Sequence, residues 1–235
     1  VNQGQPKTAG IAIAALVLSI LCMPVGFVLG IIAYIKINDS RGAMGGKGLA
    51  IVAMCMPVLM VPVIGILAAI AVPNFIRYQL RAKQSEAKFT LQAIRTSQEA
   101  FFADSGGYAS SAPNPSAAPA NVKVAWEGRP CPEDCKRDNL AACTELACIG
   151  YQASGPVYYR YVCTATPPSE GSPAEFTCAA IADLDGDGQF GVMVLGTAHT
   201  EGQATIRAPL PELAAEACGA QVPANEVFNC TPNVF

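Results

Sequence analysis

Histidine is almost missing from this chain, and charge is scarce. One histidine, His199, stands among 235 residues, which excludes a multi-histidine metal site. With only scattered serines around it, it makes no catalytic triad and reads as a surface residue. Charged residues are 14% of the chain and the net charge is −3, with no basic cluster interleaved with aromatics, so nucleic acid is not a partner. The glycines never fall in the GxxxxGK[ST] order of a phosphate loop. The single tryptophan, Trp126, decides nothing, and Tyr158, Tyr159 and Tyr161 read as core or cross-strand aromatics rather than a ligand groove. No catalytic set is left, and the chain is read as a non-enzyme.

Long apolar runs are what the chain has instead. Residues 49–76 hold no charged side chain, and Asn74 is the one strongly polar residue in them. As a helix this run measures roughly 42 Å, more than the ~30 Å core of a bilayer. Residues 11–35 form a second uncharged run, interrupted by Pro24 and Gly26, where either a kink or a re-entrant turn is expected. Between the two lies a glycine-rich connector, KINDSRGAMGGK, carrying Lys36, Arg41 and Lys47 against Asp39. Beyond Arg77 the second run turns amphipathic without a break. Leu80, Ala87, Leu91, Ile94 and Phe101 recur at a helical period, and Asp104-Ser105-Gly106-Gly107 supplies the stop.

Residues 61–108 resemble the N-terminal helix of type IV pilins and type II secretion pseudopilins. The resemblance is carried by Gly65-Ile66-Leu67-Ala68-Ala69-Ile70-Ala71-Val72-Pro73-Asn74-Phe75, then Arg77, Arg81-Ala82-Lys83, Ser85-Glu86-Ala87, and the ending Phe101-Phe102-Ala103-Asp104 through Tyr108. It implies a long helix packed on a small β head, and an assembly surface on Ile64, Gly65, Leu67, Ala68, Ala69, Ala71, Val72, Pro73 and Phe75. Upstream the chain departs from the family. A Gly-Phe cleavage site is replaced by Ile51-Val52, and Met56 stands where the family has a glutamate that neutralises a neighbour's N-terminal amine. The two apolar runs are also alike: AGIAIAALVLSIL from Ala9 aligns with KGLAIVAMCMPVL from Lys47. That pairing is similar to a small bacterial two-helix membrane domain of unknown function.

Cysteine is divided between the two parts. Cys22 and Cys55 lie in apolar runs, whereas Cys131, Cys135, Cys143, Cys148, Cys163, Cys178, Cys218 and Cys230 all follow the long helix. An even set confined to one domain predicts disulfides and an oxidising compartment. A zinc site on Cys131, Cys135, Cys143 and Cys148 is the rival, though their gaps match no familiar zinc module. Cys163 and Cys178 sit on neighbouring strand candidates. The pilin resemblance implies that Cys218 and Cys230 close a C-terminal loop. Asp183-Leu184-Asp185-Gly186-Asp187-Gly188, with Gln189 next, opens like a calcium loop, but Val194 stands at its twelfth position. The same Asp-Gly steps are ordinary hairpin signals, so calcium and a bare turn both stay open.

The predicted fold class is α+β, a membrane helix hairpin whose second helix continues as a long pilin-like helix on an antiparallel β head. Its parts are residues 1–47 (tail, first transmembrane helix, connector), 48–108 (long helix) and 109–235 (disulfide-rich head). Strands are expected at 157–164, 176–182 and 190–195, a short one at 122–126, a helical turn at 140–146 and a short helix at 212–217, with 110–120 a loop. The connector's positive charge favours the cytoplasm and the disulfides favour the opposite side. Arg77, Arg81, Lys83 and Lys88 break the positive-inside rule, as they do in pilins. The expected role is a structural subunit partnered by itself or related subunits, in the inner membrane with a periplasmic head or in a surface filament. A monomeric membrane-anchored binding or adhesion module is the alternative.

Overall fold

The computed structural model describes residues 8–40, 44–117, 121–169, 173–197, 212–219, 222–232 and 234–235. His199 and Arg41 lie outside them. The chain divides into two compact units, Val1–Ile76 and Arg77–Phe235. The helix α3, Lys47–Ser105, belongs to both.

In the first unit, residues 11–35 are not one span. They form α1, Gly10–Leu21, and α2, Met23–Asp39, separated at Cys22, whose backbone leaves the helical region. The break falls just ahead of Pro24 and Gly26, and the chain folds back on itself instead of kinking. The reason lies in small side chains. A Cβ on Gly26 would land on the backbone of Ser19, so only glycine lets the helices cross there. Ala12, Ala15 and Ser19 of α1 are buried, as are Gly26, Gly30, Ala33 and Ile37 of α2. With 12 residues, α1 is too short to span a bilayer that needs about 20. The helix long and apolar enough to cross a membrane, among the described residues, is α3. Pro57, Pro62 and Pro73 sit inside it. Asn74 folds its side-chain amide back to donate to the Ile70 carbonyl at 3.0 Å, which lets a polar residue sit in the apolar run.

The second unit packs the amphipathic end of α3 on a five-stranded antiparallel sheet. Leu80, Ala87, Leu91 and Ile94 are all buried in the core of this unit, as their spacing predicts. Phe101 is only partly buried beside them. The helix ends at Gly106, in the left-handed region at φ 78°, whose N–H donates to the Phe102 carbonyl. The sheet runs β1 (Ser111–Asn114), β2 (Arg160–Thr166), β3 (Glu175–Ala182), β4 (Gly191–Gly196) and β5 (Phe228–Asn229), each paired with the next. Val157, Tyr159, Tyr161 and Cys163 all point into the core, so the alternation in this stretch is real and the tyrosines are structural. A short helix, α4, covers Glu212–Cys218.

Three local expectations need correction. Residues 110–120 are not all loop, because β1 pairs with β2 through an irregular register. Ser110 and Ser111 accept the Ala165 and Cys163 N–H groups with their hydroxyls, standing in for backbone carbonyls. Residues 122–126 form no strand, only an isolated bridge from Val124 to Val157. The turn near Leu140 is two separate 3-10 turns, Leu140–Ala142 and Leu146–Ile149.

Candidate functional site

The proposed assembly residues lie in the part of α3 where residues 58–76 show no buried side chain. Ile64, Leu67, Val72 and Phe75 are each at least 45% exposed. An added Cβ on Gly65 meets nothing. Gly65 lies three and four residues before Ala68 and Ala69, and these lie four and three before Val72, so the four share a face that a second helix can approach closely. Pro73 is inside the helix, and Ala71 completes the small-residue content of this stretch. In water such a surface would be unstable; in hydrocarbon it costs nothing, and what it gains from a partner is packing.

Upstream, Val52 is a mid-helix residue and Met56 helps line an open apolar groove of about 620 Å³ with Phe27, Val52, Met54, Cys55, Val58 and Leu59. A carboxylate at Met56 would find no polar partner in that wall. The departure from the family at this position therefore suits its surroundings.

The charged residues of the pilin-like segment do a different job in the second unit. Glu86 accepts the Tyr158 N–H at 2.6 Å and the Tyr159 N–H at 3.4 Å, and pairs with Lys123 at 3.3 Å. Lys83 donates to the Leu184 carbonyl at 3.3 Å and lies 5.0 Å from the Tyr158 ring, as does Lys123. Gln98, fully buried, holds the Ala109 peptide from both sides, donating to its carbonyl at 2.7 Å and accepting its N–H at 3.1 Å. Arg95 donates to the Asn225 carbonyl at 2.8 Å. The sequence pattern marked the apolar stripe but not these polar clamps. Their only signal was membership of a helix whose polar residues, Gln98 above all, fall on the stripe's own side. Burial raises the phenol pKa of Tyr159 and of Tyr161 far above the usual value near 10, with the Glu86 charge adding to it.

All eight head cysteines are paired: Cys131 with Cys148, Cys135 with Cys143, Cys163 with Cys178, and Cys218 with Cys230. Cys163 and Cys178 are directly opposite in the β2–β3 register. Zinc therefore has no thiolates to bind in this form of the head. Cys22 and Cys55 are free and exposed.

Carboxylate oxygens of Asp183, Asp185 and Asp187 lie within 4.8 Å of one another in the β3–β4 connection. Asp183 accepts the N–H groups of Gly186 at 2.7 Å and Gly188 at 3.1 Å. Asp187 accepts both the backbone and side-chain N–H of Gln189 at 2.8 and 2.9 Å. The turn is thus closed by its own hydrogen bonds, and Val194, fully buried in β4, brings no carboxylate. The donors fit a cation only as a partial set.

Comparison with known proteins finds similarity over part of the chain. The chain is 59% identical over 46 residues to the type IV major pilin protein PilA of Myxococcus xanthus (strain DK1622), 20% of this chain and 21% of that protein. The shared segment thus spans about a fifth of the length of the curated relative it matches. No family model matches the chain, and no solved structure does.

Proposed function

From a chain that is type IV pilin-like, we propose a structural subunit of a cell-surface filament or a membrane-anchored pilus or secretion-type assembly. Its partners are copies of itself or related pilin-like subunits, bound through residues 64–75. The supporting observation is the length of the uncharged run of α3, residues 49–76, roughly 42 Å of helix against the ~30 Å that a lone anchor has to span, with residues 58–76 of it left bare. The polypeptide sits in the bacterial inner membrane with the head in the periplasm, or in the filament itself, and it is not an enzyme. The Asp183, Asp185, Asp187 and Gln189 loop is proposed as an accessory calcium site of modest affinity.

The decisive experiment places a charge on the small-residue face. Ala69→Asp should abolish the cross-linked oligomers formed by the wild-type protein in membranes, since an unpaired charge buried between helices costs several kcal/mol. The mutant must still accumulate in the membrane for the result to count. Monomers alone in both wild type and mutant would replace the subunit with the monomeric anchored binding module.

A further inference from the structure

We propose that the α1–α2 hairpin is a built-in occupant of the assembly helix: within the same chain it covers the face of α3 at residues 50–57, beside the bare docking stretch, and so keeps a neighbouring subunit's helix from packing along the whole apolar run. The chain can then join an assembly yet limits its growth. This rests on the subunit reading above and adds its regulation.

Two stretches of α3 in the first unit differ sharply. Ala50 and Ala53 are fully buried and Pro57 is buried with them, whereas no residue of 58–76 is. What buries the first stretch is the hairpin. A Cβ built on Gly30 of α2 would come to 3.0 Å from Met54 Cγ, 3.3 Å from the Met54 backbone N and 3.4 Å from the Ala50 carbonyl O. Backbone lies nearly on backbone, the close approach that small residues permit between helices in an apolar medium. Ala12, Ala33, Ile37 and Ala50 form one cluster drawn from all three helices.

The hairpin is also tied down at its connector. The Ala9 N–H donates to the Gly45 carbonyl at 3.0 Å. Lys47 donates to the Asn38 side chain at 3.0 Å and lies 5.1 Å from the Tyr34 ring. A partner held by so short a tether acts at an effective concentration in the millimolar range, ahead of any neighbour diffusing in the membrane. Head-to-tail association propagates only while each subunit offers two complementary surfaces. Covering residues 50–57 from within leaves a subunit that docks through residues 64–75 but offers a shortened second surface and does not pass the contact on.

The test compares cross-linked ladders of the full chain in lipid vesicles. Gly30→Ala and Gly30→Leu wedge the hairpin off α3 in steps, and Gly48→Ala, where a Cβ meets nothing within 4 Å, is the control. The expected result is a shift to higher subunit numbers that grows from Gly30→Ala to Gly30→Leu and is absent in Gly48→Ala. Should the Gly30 variants not accumulate, a protease site in the connector of otherwise unaltered protein replaces them. Cutting it and separating the hairpin should lengthen the ladder in the same way. A ladder unchanged by hairpin displacement or removal overturns the proposal, and so does a wild-type ladder already extended with the hairpin in place. Ala69→Asp, run alongside, separates the two ideas. Oligomers that survive it sink the subunit reading, whereas oligomers that it abolishes but that ignore the hairpin sink only the regulation.

Discussion

Residues 58–76 and 77–105 of α3 share one helix but answer to different surroundings. In the first stretch Val58, Ile66, Leu67 and Ile70 are each more than 60% exposed. In the second Leu91, Ile94 and Gln98 are not exposed at all. The three prolines of the helix, Pro57, Pro62 and Pro73, all lie before Arg77. A helix facing hydrocarbon must keep its backbone bonds because water cannot replace them, so it tolerates proline that an aqueous helix would break at. The amphipathic stretch instead takes its stability from one packed stripe. The lesson is that apolar content sets where a helix can live, and periodicity sets what it packs against.

The sharpest way to test that contrast is the same truncation on each side of it. Leu91→Ala should destabilise the head by about 2–5 kcal/mol, the range for emptying a packed leucine site. Leu67→Ala should leave head stability unchanged and act only on oligomer yield. Trp126 is the chain's one tryptophan, packed 5.6 Å from Tyr151 in the head, so its fluorescence during denaturation in detergent follows this unit. Equal effects at both positions would mean the two stretches are not energetically distinct.

Much of the head was legible because its signals were local. The stripe from Leu80 to Ile94 has a helical period, and Val157, Tyr159, Tyr161 and Cys163 alternate as a strand must. The strand β1 was not legible, since Ser111, Ala112, Pro113 and Asn114 have low β propensity and pair partly through serine hydroxyls. The hairpin was hidden for a different reason. In an all-apolar run neither face is marked by polarity, and only the recurrence of Gly26, Gly30 and Ala33 recorded which side is packed. Nor could the proposed assembly surface be told from plain lipid-facing residues without the pilin-like motif.

The Cys163–Cys178 bridge spans 15 residues and joins opposed positions of β2 and β3. Replacing both cysteines with alanine should cost the head about 3 kcal/mol, mainly by freeing the unfolded chain. The same denaturation midpoint as wild type would show that the strands hold their register unaided. Alkaline pH probes the core from another direction. Tyr159 and Tyr161 keep their protons in the folded head well above the usual pKa, because burial disfavours the phenolate. Their contribution is fully present below pH ~10 and is lost as pH rises from there toward the folded-state pKa, while the unfolded chain ionises first. Each such phenol should remove about 1.4 kcal/mol of stability per pH unit above ~10. Tyr159→Phe should flatten that slope, and an unaltered slope would assign the alkaline loss to other groups.

The smallest effect is expected at the β3–β4 turn. Asp183 and Asp187 already accept hydrogen bonds from Gly186, Gly188 and Gln189, so a cation there must share oxygens that the backbone uses. Val194 offers no bidentate carboxylate, so the proposed calcium site is expected to fall in the weak range of extracellular modules, about 10⁻⁴ to 10⁻³ M. At about 1 mM calcium such binding would raise head stability by roughly 0.4–1.4 kcal/mol through mass action alone. Asp185, which accepts no backbone amide in the way Asp183 does, is the residue with most to give a cation. Asp185→Ala should therefore abolish the calcium-dependent shift while leaving the calcium-free midpoint nearly unchanged. A wild-type midpoint that ignores calcium would leave this turn a hairpin held by its own amides.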